Sequence, residues 1–336
     1  MKTGIYLGKE NIKIKEVEMP KVGDDDVLIK NIYSSICGTD VAVYKHGLGT
    51  GHKIEIGKEF GHETVSYVYQ VGKNVKDFKV GDRVYPYPRY AKGDTKRAGT
   101  IGGFSEYILI PNAKLNYSLY FVPKEIENQI AALIEPFTVG CRAARRGQPK
   151  KGEKALVFGC GTIGLASAMA LKYFGIEKVM IVDVSKYRLD IASQMGFEVC
   201  LSEHLKEKAN TYFGTSYNLT GSTYDVDLFI DAAGNKSILD TFLQEGKIES
   251  RFVSVAVNNE KREIDLLHMT YCQQSIIGSG GYMQEDVFDV LEIMKSHRFP
   301  IEKMITHTYC LDDLAKAIEK ASQTDETLNV VIKMEE

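Results

Sequence analysis

Short runs of β-branched and aromatic residues, partly alternating with polar ones, fill the chain up to about residue 125. This alternation predicts strands, and the clearest runs are 26–34, 64–71 and 106–110. Turns at Gly23 and Gly81 separate such runs, because glycine tolerates the positive φ that tight turns require. The first region is therefore predicted to form an irregular antiparallel sheet.

Between residues 128 and 146 the apolar positions recur at helical spacing instead. Pro136 is expected to break or bend the first part of this helix, since proline lacks an N–H and clashes with the preceding turn. Glu135 then lies at a kink inside an apolar run. A carboxylate there is costly to bury unless it is paired or bound to a metal.

Strands and helices alternate from about residue 153 to 279. The strands are predicted at 156–158, 179–183, 226–231, 252–255 and 275–278, and the helices at 163–174, 186–195 and 237–243. The polar segment 203–223 is predicted to be a helix plus a loop, and helices at 285–297 and 311–321 precede a last strand at 328–333. Repeated strand–helix units predict an α/β fold with a doubly wound parallel sheet.

The length of 336 residues exceeds the roughly 250–300 at which one hydrophobic core stops growing, so two domains are expected. With 44% hydrophobic residues, 26% charged residues and a net charge of -3, nothing indicates a nucleic-acid or membrane partner. No apolar stretch approaches the ~20 residues of a membrane-spanning helix, and the N-terminus has no signal-peptide pattern. We therefore expect a cytoplasmic protein.

Six cysteines are dispersed along the chain without any Cys-x-x-Cys pair. This spacing argues against a disulfide framework and against a structural zinc site of the four-cysteine kind.

A glycine-rich turn follows the predicted strand at 156–158. It contains Gly159, Gly161 and Gly164, with Thr162 and Ile163 between the last two glycines. Such spacing allows a tight turn, close approach of the backbone to a pyrophosphate, and close packing of the following helix. The helix N-terminus adds free N–H groups. We interpret this turn as a dinucleotide site, the alternative being a glycine-rich turn that binds no nucleotide.

The next strand ends at Asp183, 19 residues after Gly164, where an acid can bond the ribose hydroxyls and repel a 2′-phosphate. NAD is therefore favoured over NADP, although Lys186 and Arg188 could accommodate the phosphate of NADP. Because ligands bind at the carboxyl edge of such sheets, further candidate contacts on the nicotinamide side are Ala232, Val255 and Ala256.

Cys37, His62 and Glu135 are candidate ligands of one metal ion. Cysteine, histidine and carboxylate are zinc ligands, and three protein ligands with an exchangeable water describe a catalytic site. Taken alone, Cys37 and His62 would more often be ordinary core residues than metal ligands.

The order of several motifs resembles that of the zinc-dependent medium-chain dehydrogenases. These motifs lie at 37–40, 61–63, 80–84, 102–107, 134–136 and 159–164. Within the family, the segments 135–140 and 145–147 resemble the sorbitol (polyol) dehydrogenase branch, whereas 37–40 followed by Tyr44 is also similar to threonine dehydrogenases. The resemblance implies a GroES-like β-rich catalytic domain of residues 1–140 and 281–336, and a Rossmann NAD-binding domain of residues 141–280. It also implies a homo-oligomer, either a dimer or a tetramer.

The resemblance also assigns roles to residues. Cys37 and His62 match two zinc ligands, and either Glu63 or Glu135 matches the third. Asp40 matches the acid that orients the zinc-bound imidazole, as ligating histidines generally require. Thr39 matches the hydroxyl that passes the substrate proton towards the nicotinamide ribose.

Two features depart from many relatives. No cysteine occurs between Cys37 and Cys141, so the lobe that binds a second, structural zinc is missing and one zinc per chain is expected. Ala42 stands where many relatives carry a histidine in the proton relay, so the proton must leave through solvent or through His46. Otherwise His46 and His52 are interpreted as ordinary loop histidines.

These observations predict reversible oxidation of a secondary alcohol, a polyol or sugar alcohol, to a ketone with NAD. Alternatives within the family are a sugar-alcohol phosphate, which the basic residues Lys92, Lys96 and Arg97 could favour, or threonine. Outside this reaction, a zinc-free quinone reductase or a nucleotide-binding protein without catalysis stays open.

Overall fold

The computed structural model describes residues 1–50, 53–93, 100–257 and 260–335. The chain forms two compact units, which we name unit 1 (Met1–Glu135 with Ile301–Glu336) and unit 2 (Pro136–Pro300). The predicted domain bounds, 1–140 with 281–336 and 141–280, stay a prediction. Three residues considered from the sequence lie outside the described residues: His52, Lys96 and Arg97.

The first part of unit 1 is rich in short strands. In chain order its elements are β1 (Lys2–Gly8), β2 (Asn11–Glu16), β3 (Val27–Ser35), α1 (Gly38–His46), β4 (Lys58–Glu59), β5 (Glu63–Val71), β6 (Arg83–Pro86), α2 (Pro88–Ala91), β7 (Tyr107–Ile110), β8 (Leu119–Phe121) and α3 (Asn128–Ala131). β3 pairs antiparallel with both β5 and β7, β5 pairs with β6, and β6 pairs with β8. This part of the predicted antiparallel sheet is confirmed.

Unit 2 alternates strands with helices. Its elements are α4 (Ile134–Arg146), which begins two residues before the unit boundary, β9 (Lys154–Phe158), α5 (Thr162–Tyr173), β10 (Lys178–Asp183), α6 (Lys186–Gln194), β11 (Glu198–Leu201), α7 (Leu205–Phe213), β12 (Thr215–Asn218), β13 (Gly221–Tyr224), β14 (Leu228–Asp231), α8 (Lys236–Glu245), β15 (Arg251–Ser254), α9 (Leu266–Cys272), β16 (Ser275–Gly278) and α10 (Gln284–Lys295).

The parallel sheet of unit 2 has the strand order β11-β10-β9-β14-β15-β16. Counted along the chain this is third, second, first, fourth, fifth, sixth, the doubly wound order of dinucleotide-binding domains. The order reverses beside β9, so the turn after β9 lies at the point where such folds bind ligands. The side chains of β9, β10 and β14 are almost entirely buried, as expected for strands covered on both faces. The predicted parallel sheet is confirmed.

The last part of the chain completes unit 1 with β17 (Ile305–Cys310), α11 (Leu314–Ala321) and β18 (Asn329–Lys333). β18 pairs antiparallel with β3, and Val331 lies opposite Ser35. β17 pairs parallel with β18, so the complete sheet is mixed, although the pairs of β3, β5, β6, β7 and β8 in the first region are antiparallel as predicted. A parallel partner requires a crossover connection, and α11 supplies it between the two strands.

One local prediction is confirmed and one was wrong. The helical run 128–146 is broken as predicted, because α3 ends at Ala131 and α4 begins only at Ile134, so that Pro136 lies in the first turn of α4. An N–H is unpaired in a first turn anyway, and proline is therefore tolerated there. The segment 203–223 contains the hairpin of β12 and β13, whose polar residues concealed its strand character.

Among the described residues, no helix combines the length and the hydropathy that are needed to cross a bilayer. All six cysteines are free thiols.

Candidate active site

The ladder between β3 and β5 brings three candidate metal ligands together in unit 1. Ser35, the last residue of β3, lies opposite Glu63, the first residue of β5. Cys37 follows two residues after Ser35, and His62 immediately precedes Glu63. As a result, one donor atom of each of the residues Cys37, His62 and Glu63 lies within 4.8 Å of those of the other two.

Burial makes it energetically unfavourable for these three side chains to be ionised unless a cation is bound between them. His62 and Glu63 are 4% and 2% exposed. Burial raises the pKa of the Cys37 thiol well above its ordinary value, and the charges of Glu63, Asp40 and Glu135 raise it further. Burial also raises the pKa of Glu63, although His62, Ser35 and Cys37 partly offset this effect. A bound cation would reverse both shifts, since it favours thiolate and carboxylate.

Unsatisfied acceptors give a further test of whether a metal fits here. Glu63 Oε2 and Asp40 Oδ1 are buried and accept no hydrogen bond from any of the described residues. A buried acceptor without a partner costs free energy. The donor set of one sulfur, one imidazole nitrogen and one carboxylate oxygen is a zinc set, so the residues present fit a zinc ion.

Helix α1 places Asp40 and Thr39 beside these ligands. Asp40 is fully buried, and its Oδ1 atom lies 4.0 Å from Nδ1 of His62. Its Oδ2 atom accepts a hydrogen bond of 3.0 Å from the backbone N–H of Cys37. Burial raises the pKa of Asp40 to about 7, although the charge of His62 and the Cys37 N–H oppose the shift. Thr39 precedes Asp40 in the first turn of α1, and His46 lies exposed at the last turn.

Glu135 lies apart from the three clustered ligands. It is 8% exposed and stands in the first turn of α4. Its charge contributes to raising the pKa of Cys37, yet the group of donors within the described residues contains Glu63 and not Glu135.

Lys92, a candidate for binding a substrate phosphate, donates from its ammonium to the Leu109 carbonyl at 3.1 Å. The Lys92 ammonium is therefore already hydrogen-bonded inside the protein.

The glycine turn after β9 has the geometry expected of a phosphate-binding turn. Gly159 has a φ of 100°, which favours glycine. A Cβ on Gly164 would lie 1.8 Å from the Gly159 carbonyl oxygen, whereas among the described residues a Cβ on Gly161 would meet only the Arg188 guanidinium, at 3.6 Å. Gly161 therefore presents an open face at the N-terminus of α5, which begins with Thr162 and Ile163.

Asp183 ends β10 beside this turn. One of its carboxylate oxygens accepts from the Cys160 N–H at 2.5 Å and the other from the Ser185 N–H at 2.8 Å. The same edge of the sheet carries Ala232, whose N–H bonds the Phe158 carbonyl at 2.8 Å, and Val255 and Ala256, whose N–H groups both bond the Asp231 carbonyl at 3.0 Å. The sheet thus brings the predicted dinucleotide residues to one edge of unit 2.

Two further residues shape these sites, and sequence reasoning missed the second of them, Ser35. The Asp231 carboxylate accepts from the N–H groups of Ala233 and Gly234 and so shapes the turn after β14. Ser35 lies in the ladder opposite Glu63. The only signal for Ser35 in the sequence was the pair of adjacent serines at the end of the predicted strand.

Comparison with known proteins places this geometry in a family. Residues 23–118 match the alcohol dehydrogenase GroES-like domain, and residues 162–296 match the zinc-binding dehydrogenase family. The chain is 30% identical to (R,R)-butanediol dehydrogenase of Bacillus subtilis (strain 168), with 94% of each chain covered. The crystal structure of 2R,3R-butanediol dehydrogenase from Bacillus subtilis has a TM-score of 0.85 at 27% identity and covers 99% of each chain.

Two other relatives differ in substrate. The chain is 28% identical to L-threonine 3-dehydrogenase of Vibrio atlanticus (strain LGP32), covering 93% of this chain and 92% of the relative. It is 26% identical to D-xylulose reductase of Saccharomyces cerevisiae (strain ATCC 204508 / S288c), covering 93% and 91%.

The chain therefore belongs to the zinc-dependent medium-chain dehydrogenases, a family of alcohol dehydrogenases. The protein is an oxidoreductase of secondary alcohols and polyols at the level of the family. The predicted fold, a Rossmann α/β nucleotide domain with a GroES-like β-rich catalytic domain, is confirmed.

Proposed function

We propose that the protein oxidises a secondary alcohol, a polyol or sugar alcohol, reversibly to a ketone with NAD. The observation that carries this proposal is the buried cluster of Cys37, His62 and Glu63 in a chain similar to butanediol dehydrogenase and D-xylulose reductase. We assign residues 1–140 and 281–336 to the catalytic domain and residues 141–280 to the NAD-binding domain.

One zinc ion per chain would be held by Cys37, His62 and Glu63, with Glu135 as the alternative carboxylate. A bound zinc supplies a Lewis acid that lowers the pKa of an alcohol oxygen. No cysteine between Cys37 and Cys141 is present to bind a structural zinc. Around this site Asp40 would orient His62 through its Nδ1 atom, and Thr39 would accept the proton of the substrate hydroxyl.

The dinucleotide would be held by residues of unit 2. The open turn formed by Gly159, Gly161 and Gly164, with Thr162 and Ile163, suits a pyrophosphate. Asp183 would bind the ribose with Arg188 beside it, and the nicotinamide side would meet Ala232, Val255 and Ala256. The bound cofactor supplies the redox chemistry that side chains cannot.

The proton released by the substrate needs a route that does not use position 42, because an alanine stands there. His46, exposed on the last turn of α1, and direct transfer to solvent are the two routes. A His46→Ala variant separates them, because only the histidine route predicts a changed pH profile of kcat.

A homo-oligomer is proposed from the surface of unit 2, in keeping with the predicted dimer or tetramer. Within the described residues β16 pairs only with β15, so its other edge is open. Close to it in sequence, α9 exposes Leu266, Leu267 and Tyr271. Large exposed apolar groups and open strand edges are both features of association surfaces. Light scattering should show an oligomer that Leu267→Glu dissociates.

We also propose a cytoplasmic setting, where six free thiols stay reduced.

A substrate screen tests the reaction. NADH formation is measured over polyols, polyol phosphates, vicinal diols and threonine, alongside the zinc content of protein prepared without chelator. We expect turnover of an unphosphorylated polyol or diol, with zinc bound. Cys37→Ser should fold, bind NADH and lose both zinc and turnover. Full turnover in this variant would overturn the proposal.

Threonine is the second candidate substrate, favoured by the similarity to L-threonine 3-dehydrogenase. Faster turnover of threonine, or of a phosphorylated polyol, in the same screen would replace the proposed substrate. Protein that binds NADH without zinc would instead indicate a quinone reductase or a noncatalytic binder.

A further inference from the structure

A cluster of buried polar side chains lies in unit 1 among the strands that carry the candidate metal ligands. We name it the polar cluster; its members are Asn31, Ser34, Thr64, Ser66 and Ser105. Each of them is at most 2% exposed. Buried polar groups cost free energy unless they are hydrogen-bonded, and apolar residues would fill the same strand positions at lower cost. The polar cluster therefore calls for an explanation beyond packing.

The cluster holds one backbone segment, residues 102–105. The amide nitrogen Nδ2 of Asn31 donates to the carbonyls of Gly103 at 3.2 Å and Ser105 at 2.6 Å. Ser34 Oγ donates to the same Gly103 carbonyl at 2.5 Å. Carbonyls only accept, so the orientation of the Asn31 amide follows, and its Oδ1 atom accepts from Ser66 Oγ at 2.6 Å.

The held segment in turn contacts the backbone of a candidate metal ligand. The Gly103 N–H donates to the Gly61 carbonyl at 2.9 Å, and the Phe104 N–H donates to the Phe60 carbonyl at 3.2 Å. A Cβ on Gly103 would lie 2.9 Å from the backbone nitrogen of His62, closer than real Cβ atoms approach. Gly103 therefore packs directly against the peptide that carries His62.

The same strand leads to the other ligands. Asn31 and Ser34 belong to β3, whose last residue lies opposite Glu63 and is followed by Cys37 after one further residue. A single strand thus sets the position of Cys37 through the chain, of Glu63 through the ladder, and of His62 through the polar cluster.

We propose that Asn31 and Ser34, acting through Gly103, are positioning residues that fix His62 relative to Cys37. This inference rests on the metal site proposed above. The positioning residues touch neither metal nor substrate. They act by keeping the His62 backbone where the imidazole can share a cation with the Cys37 sulfur.

Zinc affinity and the cobalt spectrum test this role. Zinc dissociation constants are measured on the full chain by competition with a chromophoric chelator, together with the visible absorption of the cobalt-substituted protein and thermal melting. Gly103→Ala pushes on the His62 backbone, and we expect its dissociation constant to rise about 10- to 100-fold with an altered cobalt spectrum. Ser34→Ala removes the hydrogen bond to the Gly103 carbonyl and the contact with the Thr64 hydroxyl, and we expect the dissociation constant to rise about fivefold.

Gly72→Ala is the matched control. Its Cβ would lie 2.3 Å from the carbonyl oxygens of Gly23 and Asp24, so it strains the backbone of the same unit. Gly72 follows Val71, which pairs with Val27 at the end of the β3–β5 ladder opposite to Glu63. We expect this control to melt at a lower temperature while zinc affinity and the cobalt spectrum stay those of the unchanged protein.

The outcomes separate the two proposals. If the unchanged protein binds no zinc, or if Cys37→Ser binds it equally tightly, the metal site fails and the positioning role with it. If the unchanged protein binds zinc while Gly103→Ala and Ser34→Ala keep its affinity and cobalt spectrum, only the positioning role is overturned. Equal losses of affinity in Gly72→Ala and Gly103→Ala would also overturn it, because affinity would then follow stability. If Gly103→Ala does not fold, Ser34→Ala decides.

Discussion

The Oδ1 atom of Asp40 lies 4.0 Å from Nδ1 of His62, and both side chains are buried. The other oxygen of the same carboxylate accepts from the Cys37 N–H at 3.0 Å. One acid thus links the two elements that carry Cys37 and His62, α1 and the segment before β5. A carboxylate beside a ligating imidazole fixes the ring and raises its basicity.

Asp40→Asn should weaken zinc binding while the protein stays folded. The amide oxygen can still cap α1 by accepting from the Cys37 N–H, but the negative charge beside His62 is lost. We expect the zinc dissociation constant to rise about 10- to 100-fold. Chelator competition measures it, with thermal melting as the control. Unchanged affinity would show that Asp40 only caps the helix.

Glu63→Gln and Glu135→Gln should differ in their effect on zinc binding. Glu63 belongs to the compact group of donors with Cys37 and His62, and Glu135 does not. We therefore expect Glu63→Gln to raise the zinc dissociation constant at least about tenfold and more than Glu135→Gln does. Zinc titration of both variants measures the difference. The reverse order would make Glu135 the third ligand.

Two alanine substitutions in the glycine turn should affect different properties. One should lower the stability of the protein and the other should weaken NADH binding. Gly164→Ala forces a Cβ to within 1.8 Å of the Gly159 carbonyl, so it should lower stability by about 1–3 kcal/mol. Within the part of the chain that the structure describes, the new methyl group of Gly161→Ala meets only Arg188, at 3.6 Å, so this variant should fold normally. Its methyl group would, however, occupy the face that a pyrophosphate approaches.

Thermal melting and NADH fluorescence titration separate the two effects. We expect Gly161→Ala to weaken NADH binding at least about tenfold, which corresponds to about 1.4 kcal/mol, with unchanged melting. Normal NADH affinity in Gly161→Ala would place the dinucleotide elsewhere.

Asp183→Asn should shift cofactor preference towards NADP. The substitution removes a negative charge that would repel a 2′-phosphate, while Arg188 stays beside the turn. We expect the ratio of kcat/KM for NADP over NAD to rise about tenfold, or about 1.4 kcal/mol. Adding Arg188→Ala should cancel the gain. A single variant with an unchanged ratio would contradict the role of Asp183 in excluding the phosphate.

Asp231→Asn should stabilise the protein at neutral pH. Burial raises the pKa of Asp231 above 3.8, although the N–H groups of Gly234 and Ala233 and the charge of Arg262 oppose the shift. The unfolded chain then loses this proton at lower pH than the folded protein does, so stability falls as pH rises through the folded pKa. An asparagine keeps an acceptor for both N–H groups without the buried charge.

Melting curves across pH check this prediction. The melting temperature of Asp231→Asn should exceed that of the unchanged protein at pH 7, and the difference should shrink as pH falls towards 3.8. A difference that grows in acid would contradict the assigned sign.

Features that depend on residues close together in the sequence could be predicted from it. The glycine turn, the strand before it and Asp183 at the end of the next strand depend on local conformation, and unit 2 contains them as predicted. Cys37 and His62 could be paired before the structure because their motifs are individually distinctive. That pairing relied on resemblance to a family, since nothing in the spacing alone brings two residues of distant segments together.

Features that depend on distant contacts were missed. The contact between Gly103 and the His62 backbone joins segments whose own patterns do not indicate one another. Likewise, β17 and β18 pair parallel, and no periodicity encodes the direction of pairing. The sequence also could not show that Glu63, and not Glu135, lies in the compact donor group with Cys37 and His62, because both carboxylates are chemically equal candidates.

Because β18 pairs with β3, this part of the sheet can be completed only late in synthesis. β3 leads to Cys37, and its neighbour β18, with Val331 opposite Ser35, is translated after all of unit 2. Unit 2 is one uninterrupted segment, so a growing chain can fold its dinucleotide turn while β3 still has an open edge. The strands that carry the candidate metal ligands are thus complete only when β18 has been made, and zinc binding at this site would then come late in folding.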